Sequence, residues 1–228
     1  MASEAKIIFA YAGVLEAFDP QQSKKVNWWM RFLRSFLITY KQSSVYETND
    51  RTGEAIFNHV VRFREKYPEL VSSVLFQLWG SIAPQNVKRV KELGLTEIIK
   101  IEGFKSRSET RAKLLDADVM LLPLESGRNG QRPLALPSKL FDYLLLGKPV
   151  LILSEESDCS DILIAAGIGI RCAPHDLDMA ADKMAELILQ KSKYAELFKP
   201  RKEYIEEFSF RYKAAEMERV FNRLIETT

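Results

Sequence analysis

Short apolar runs alternate with segments of helical periodicity along this 228-residue chain, and this alternation constrains the fold more than any other feature. Most of the runs end at a glycine or a polar loop. Strands separated by amphipathic helices favour a parallel sheet with helices on both faces. We therefore predict an α/β fold, a doubly wound parallel six-stranded Rossmann-like sheet, with strands over residues 7–12, 74–79, 98–101, 119–122, 150–153 and 169–172.

The segments between these runs have apolar residues at helical spacing. Two further helices are predicted at the end of the chain, around Tyr194 and over 211–225. We interpret residues 1–228 as a single domain that carries a helical insertion around 20–48 and C-terminal helices over 193–228. The helices predicted between the strands cover residues 55–66, 86–93, 108–116, 138–146, 158–166 and 179–190.

Charge and cysteine content narrow the functional classes. The net charge of +2 is too small to imply a nucleic acid partner. The two cysteines, Cys159 and Cys172, lack metal-ligand spacing, so a cytoplasmic location is the simplest expectation. No apolar run reaches the about 20 residues that a membrane-spanning helix needs. His59 is expected at the surface or the edge of the core, and His175 in a loop after the last strand.

The stretch from 137 to 151 predicts a short helix that ends sharply and leads into a buried strand. Pro137 is typical of a helix start, and Gly147 of the left-handed position just past a helix end. Lys148 and Pro149 then prevent the helix from continuing. The apolar residues Phe141, Leu144 and Leu145 are expected to pack against the sheet.

Three polar residues of this helix share its other flank. Ser138, Lys139 and Asp142 lie at positions i, i+1 and i+4. A cation and a carboxylate in the first turn of a helix, at the ligand-binding edge of a parallel sheet, can hold a phosphate and a sugar hydroxyl. The pattern indicates a nucleotide site, although a solvated Lys–Asp pair would look the same in sequence.

This stretch resembles the donor-site signature of retaining GT-B glycosyltransferases of the glycogen-synthase-like kind (glycosyl transferases group 1). The shared pattern is Pro-x-Lys-Leu-Phe-(Glu/Asp)-Tyr-x-x-x-Gly-Lys-Pro-Val. The resemblance implies that Asp142 contacts the ribose of a nucleotide-sugar. Segments 12–13, 97–109, 117–123, 166–170 and 208–210 are also similar to the family, in the family's order.

The resemblance implies a set of donor-binding residues and leaves the catalytic residue unassigned. It implies no metal and no cofactor, because the nucleotide-sugar is itself the substrate. Lys25, or its neighbour Lys24, resembles the family's phosphate-binding cations in approximate position only. The implied donor-binding residues are Gly13, Lys25, Gly103, Phe104, Lys105, Arg107, Pro137, Ser138, Lys139 and Asp142.

Two departures from the family matter. A GT-B enzyme has two Rossmann-like domains, whereas this chain supplies one, so we expect an acceptor domain elsewhere in the same enzyme or in a partner chain. Many members also carry a Glu-x7-Glu pair, whose first position falls on Leu134 here. Glu125 is out of register, and the glycine-containing loop over 125–133 is a candidate for substitute contacts.

The segment over 20–46 contains no acidic residue. Trp29, Leu33, Phe36 and Tyr40 would share one helical face, opposite basic residues. This segment could pack on the core, dock on the acceptor domain or contact an anionic membrane as a peripheral protein. For the whole chain, the predicted function is donor binding for sugar transfer. The alternatives are a nucleotide-sugar epimerase of the same architecture and a non-catalytic nucleotide-binding or interaction module.

Overall fold

The structure of the protein is a computed structural model that describes residues 6–15, 53–124, 132–133 and 135–226. The predicted insertion around 20–48, together with Lys25, Glu125 and Leu134, lies outside the described residues. Within them, no helix has the length and apolar content needed to cross a membrane.

One parallel sheet of six strands organises the domain, and the predicted fold class is confirmed. The strand order β3-β2-β1-β4-β5-β6 reverses its direction of growth between β1 and β4, where open α/β sheets form a crevice. The strands are β1 (Ile7–Leu15), β2 (Val74–Ile82), β3 (Ile99–Ile101), β4 (Val119–Pro123), β5 (Val150–Leu153) and β6 (Gly169–Cys172).

Helices follow the strands as the sequence predicts. Two short 3-10 helices, Pro68–Ser73 and Lys191–Lys193, lie outside the strand–helix alternation. The α-helices are α1 (Glu54–Lys66), α2 (Pro84–Glu92), α3 (Arg107–Asp116), α4 (Ser138–Leu146), α5 (Asp158–Ala165), α6 (Leu177–Leu189), α7 (Tyr194–Leu197), α8 (Lys202–Glu206) and α9 (Phe210–Glu226).

The sheet separates two apolar cores, because successive side chains of a strand point to opposite faces. On β1, Phe9 points to the core under α1, α2 and α6, where its ring stacks on that of Phe76 with centroids 4.9 Å apart. Ala10 points to the other core, under α3, α4 and α5, together with Trp79 and Tyr143. Each core is therefore closed by its own set of helices.

Two packing expectations are wrong. His59 is buried, with 1% of its surface exposed, because it lies on the face of α1 that packs on the sheet and α6. In α4, Leu144 is buried as expected, but Phe141 is 39% exposed and Leu145 77% exposed. Leu140 and Tyr143 are buried instead, because the stripe of α4 that packs on the core runs through positions 140, 143 and 144.

Candidate functional site

Glycines lie side by side at the carboxyl ends of the first three strands. Gly13 of β1 pairs in register with Gly80 of β2, and the Gly80 amide donates a 2.8 Å hydrogen bond to the carbonyl of Gly103. Gly80 has φ of 125°, and a side chain there would overlap the carbonyl oxygen of Gly13. β1 and β2 continue past these glycines, so both strands are longer than predicted, and this part of the edge exposes backbone without side chains.

The ammonium of Lys139 lies against the glycine of β1. A Cβ atom at Gly13 would come within 2.6 Å of Lys139 Nζ and 2.8 Å of Tyr11 Oη. Lys139 Nζ is also 5.1 Å from the centre of the Tyr11 ring, and the Tyr11 hydroxyl donates to the carbonyl of Val14 at 2.9 Å. Two predicted site residues thus meet, and sequence reasoning missed Tyr11, which comes to the site only because the Lys139 side chain of α4 lies against β1.

A cleft of about 250 Å³ separates α3 from α4. Arg107, from the first turn of α3, and Asp142, from the second turn of α4, both line it. Thr110 and Arg111 line it too, and sequence reasoning missed them although they follow Arg107 at i+3 and i+4 on the same helical face. The rest of the lining is apolar and consists of Leu114, Leu115, Leu145 and Leu146.

The loop between β3 and α3 presents an exposed aromatic ring. Phe104 is 83% exposed, whereas its neighbour Lys105 lies 3.7 Å from the carboxylate of Glu102. The loop ends in a capping box, in which the Ser106 hydroxyl accepts from the Glu109 amide and the Glu109 carboxylate accepts from the Ser106 amide at 2.8 Å. The Ser106 hydrogen bonds lower the pKa of Glu109. The capped helix start fixes the position of the loop's end.

The start of α4 is open to solvent at the edge of the sheet. Pro137 precedes the helix in an extended conformation, and Ser138 is its exposed first residue. Just upstream, the Arg132 guanidinium donates to Asp158 at 2.8 Å and to Asp161 at 2.6 Å. These bonds connect the chain entering α4 to the first turn of α5.

The end of α4 is joined to the end of α3. Gly147 adopts the predicted left-handed conformation, with φ of 61°. The next residue, Lys148, donates from Nζ to the carbonyls of Ala117 at 2.6 Å, Leu114 at 3.5 Å and Leu115. Burial lowers the pKa of Lys148. In the sequence this lysine indicated only a helix stop, and its contact with α3 was missed.

These features can bind a phosphate and a hydroxylated ring together. A helix N-terminus and a nearby ammonium both favour an anion. The exposed carboxylate of Asp142 can accept hydrogen bonds from hydroxyl groups. Among residues 6–15, 53–124, 132–133 and 135–226, no group of three or more His, Cys, Asp or Glu side chains could hold a metal ion.

The sheet order and its flanking helices define the class as a Rossmann-like domain, and similarity to solved structures gives the fold as that of one half of a GT-B glycosyltransferase, which confirms the resemblance at the level of the fold. Sucrose-phosphate synthase from Thermosynechococcus elongatus is similar with a TM-score of 0.61 and 13% identity, over 100% of this chain and 47% of that one. HepE of Anabaena, solved in complex with UDP, is similar with a TM-score of 0.53 and 14% identity, over 93% and 56%.

A curated relative is closer in sequence over a shorter stretch. WcaL of Salmonella typhimurium, named as a colanic acid biosynthesis glycosyltransferase, is 30% identical over 97 residues, which are 42% of this chain and 23% of WcaL. No family model matches the chain. The chain thus spans less than two thirds of each of these three proteins.

Proposed function

We propose that this chain is the donor-binding half of a retaining, metal-independent glycosyltransferase, and that it binds a nucleoside-diphosphate sugar. The observation that carries the proposal is the meeting of Lys139 Nζ with Gly13 at the carboxyl edge of the sheet, at the start of α4. A signature residue of the helix and a glycine far from it in sequence form one place where an anion can bind.

The diphosphate is the group that this edge suits best. When the bond between sugar and nucleotide breaks, negative charge develops on the diphosphate, and groups already oriented toward it stabilise the transition state. In the proposed complex, the ammonium of Lys139 and the amides of the first turn of α4 face this charge. The bare backbone at Gly13 lets the phosphates approach closely. Lys25 remains a further candidate cation from the sequence.

The nucleoside would occupy the adjacent surface of α3 and α4. Asp142 accepts hydrogen bonds from the ribose hydroxyls, and Arg107 faces it across the cleft. The exposed ring of Phe104 is available to stack on the base, as aromatic side chains do in other nucleotide sites. Gly103 has φ of 71° and lets the β3–α3 loop turn beside this surface, where Lys105 is a second candidate contact.

The comparisons support uridine diphosphate as the first nucleotide to test, because HepE was solved with UDP. The name of WcaL supports sugar transfer in polysaccharide biosynthesis. Transfer also requires an acceptor, which we place on a second domain of the same enzyme or on a partner chain.

Nucleotide binding by the chain tests the proposal. The thermal unfolding of the unaltered chain is measured with UDP, GDP, ADP, TDP and CMP, beside Asp142→Asn and the control Glu196→Gln. Glu196 is an exposed carboxylate on α7, away from the α3–α4 cleft. A nucleotide at a hundred times its Kd should add about 2.7 kcal/mol to the free energy of unfolding.

We expect one nucleotide to stabilise the unaltered chain and the control, and to stabilise Asp142→Asn much less. If none of the five changes the unfolding temperature, the chain does not bind a donor by itself and the proposal is wrong. Equal binding by Asp142→Asn would remove this residue from the site and favour the non-catalytic interaction module.

A further inference from the structure

Lys148 binds the end of α3 from outside that helix. The last carbonyls of a helix have no partner within it, and a cation near them is favoured by the helix dipole. The ammonium has three N–H donors, and three carbonyls at the end of α3 accept from it: those of Leu114, Leu115 and Ala117. Lys148 therefore caps a helix that lies more than thirty residues earlier in the chain.

The same residues form one end of the α3–α4 cleft. Leu114 and Leu115 give their carbonyls to Lys148 and also line the cleft. Leu146, which ends α4 on the opposite wall, is separated from Lys148 only by the left-handed Gly147. A contact between the ends of two helices sets their spacing at that point, and stiff helices carry the spacing to Arg107 and Asp142.

We propose that Lys148 is a positioning residue for the nucleotide, which acts by holding α3 at a set distance from α4. This inference rests on the proposed donor-binding function. Lys148 itself does not touch the ligand. Its bonds to α3 keep Arg107 and Asp142 at the separation that the nucleoside requires, so that binding does not have to order the two helices first.

The test compares two variants that each remove a cation from a helix end. In Lys148→Met the apolar part of the side chain is kept and the donors are lost. Arg64→Met is the matched control, because Arg64 Nη1 donates to the carbonyls of Leu93 and Gly94 at 2.9 Å each. That contact caps α2, on the opposite face of the sheet from the cleft. Lys148→Arg restores a donor group at the original position.

Two quantities are measured in the full chain at a temperature at which every variant is folded: the Kd for UDP, and amide hydrogen exchange across α3 without nucleotide. A displacement of about 1 Å at a positioned group can cost on the order of 100-fold in function, and we expect an about tenfold higher Kd in Lys148→Met. Exchange in α3 should become faster in that variant. Arg64→Met should lower the unfolding temperature without changing the Kd, and Lys148→Arg should recover part of the affinity.

Three results would overturn the positioning role. The first is an unchanged Kd in Lys148→Met, with UDP bound by the unaltered chain. The second is an equal rise of the Kd in Lys148→Met and Arg64→Met, because general destabilisation would then explain it. The third is slow, unchanged exchange in α3.

If the unaltered chain itself fails to bind UDP or any other nucleotide tested, it is the donor-binding function that fails, and the positioning role with it. Should Lys148→Met not fold, Lys148→Arg alone decides, and an affinity equal to that of the unaltered chain with altered exchange in α3 would contradict the inference.

Discussion

The two faces of the sheet are built differently. On one face, α1 and α6 pack closely over a core of aromatic and aliphatic side chains, and ion pairs join the helices at their surface. Arg62 lies 2.7 Å from Asp178, and Lys66 lies 2.6 Å from Asp182. On the other face, α3 and α4 are separated by the cleft of about 250 Å³, whose lining residue Leu145 is 77% exposed.

This difference separates stability from ligand binding. The α1–α6 face places fully buried side chains such as Phe57, Val60 and Met184 between its helices and the sheet. The α3–α4 face leaves polar and apolar groups accessible between two helices whose ends Lys148 connects. Binding sites commonly combine an accessible apolar surface with a few polar groups held by a rigid scaffold. We therefore expect substitutions on the two faces to change different measured quantities.

The largest effect is expected on the α1–α6 face. Phe63 is fully buried and its ring lies 6.5 Å from that of Phe76, edge to face. Phe63→Ala should lower the free energy of unfolding by about 3–5 kcal/mol, because it removes a large buried side chain and leaves a cavity. Urea denaturation measures this change. Leu145→Ala is the matched truncation on the α3–α4 face and should change stability little; an equal loss in both variants would abolish the contrast between the faces.

An intermediate effect is expected at the edge where β1 meets α4. In Gly13→Ala the added Cβ would displace the Lys139 ammonium, which can move because it ends a flexible side chain. We expect the Kd for UDP to rise about tenfold, equivalent to about 1.4 kcal/mol, and stability to fall less than in Phe63→Ala. Isothermal titration calorimetry measures the Kd. Gly53→Ala does not serve as the control, because a Cβ atom at Gly53 would clash with the ring of Phe57.

An exposed position provides the control for Gly13→Ala. Ser81→Ala, at the exposed end of β2, adds no atoms to the same edge of the sheet. It should leave the Kd unchanged. If Gly13→Ala also binds UDP with unaltered affinity, Lys139 does not contact the phosphates from the position it holds against β1.

The smallest effect is a pH dependence on the α1–α6 face. Burial lowers the pKa of His59 below 6.5, and its Nε2 atom is buried with no hydrogen-bond partner among the described residues. At a pH near or below about 6.5, the His59 side chain binds a proton more readily in the unfolded chain than in the folded chain. His59 should therefore reduce the free energy of unfolding as the pH falls through this range. Unfolding free energies at pH about 7.5 and about 5.5, compared between the unaltered chain and His59→Gln, measure this.

The unaltered chain should lose more stability than His59→Gln over that interval, because glutamine does not titrate. Nucleotide affinity should not follow the same profile, since His59 lies on the face away from the cleft. A parallel loss of stability in both proteins would show that other groups cause the acid sensitivity.

Much of the fold could be predicted because its signals are local. Apolar runs, helical periodicity and helix-end residues such as Gly147 are read from neighbouring positions, and the helices and strands predicted within the described residues occur in the structure. The helix over 211–225 is also confirmed, although every residue of α9 with a described side chain is exposed, Phe210 by 98% and Ile225 by 74%. The sequence predicted that this segment is a helix and could not show what its apolar residues contact.

The candidate site was only partly predictable. Asp142 and Lys139 followed from a contiguous motif, and Gly13 from the resemblance. Tyr11 and Lys148 were not recognised as parts of the site, because their roles depend on which strand lies under α4 and which helix ends beside β5. The burial of His59 had a local signal, since it follows Ile56 by three residues and precedes Phe63 by four, both of them buried.

By itself the sequence determined the alternation of strands and helices and the sharp end of α4 at Gly147, because hydrogen bonding, capping and backbone preference act between residues close in the chain. Only the tertiary structure decided the strand order, the contact of Lys139 with Gly13, and the cap that Lys148 places on α3. Those contacts depend on how the strands pair and how the helices pack, which are set by the packing of the whole domain rather than by any local pattern.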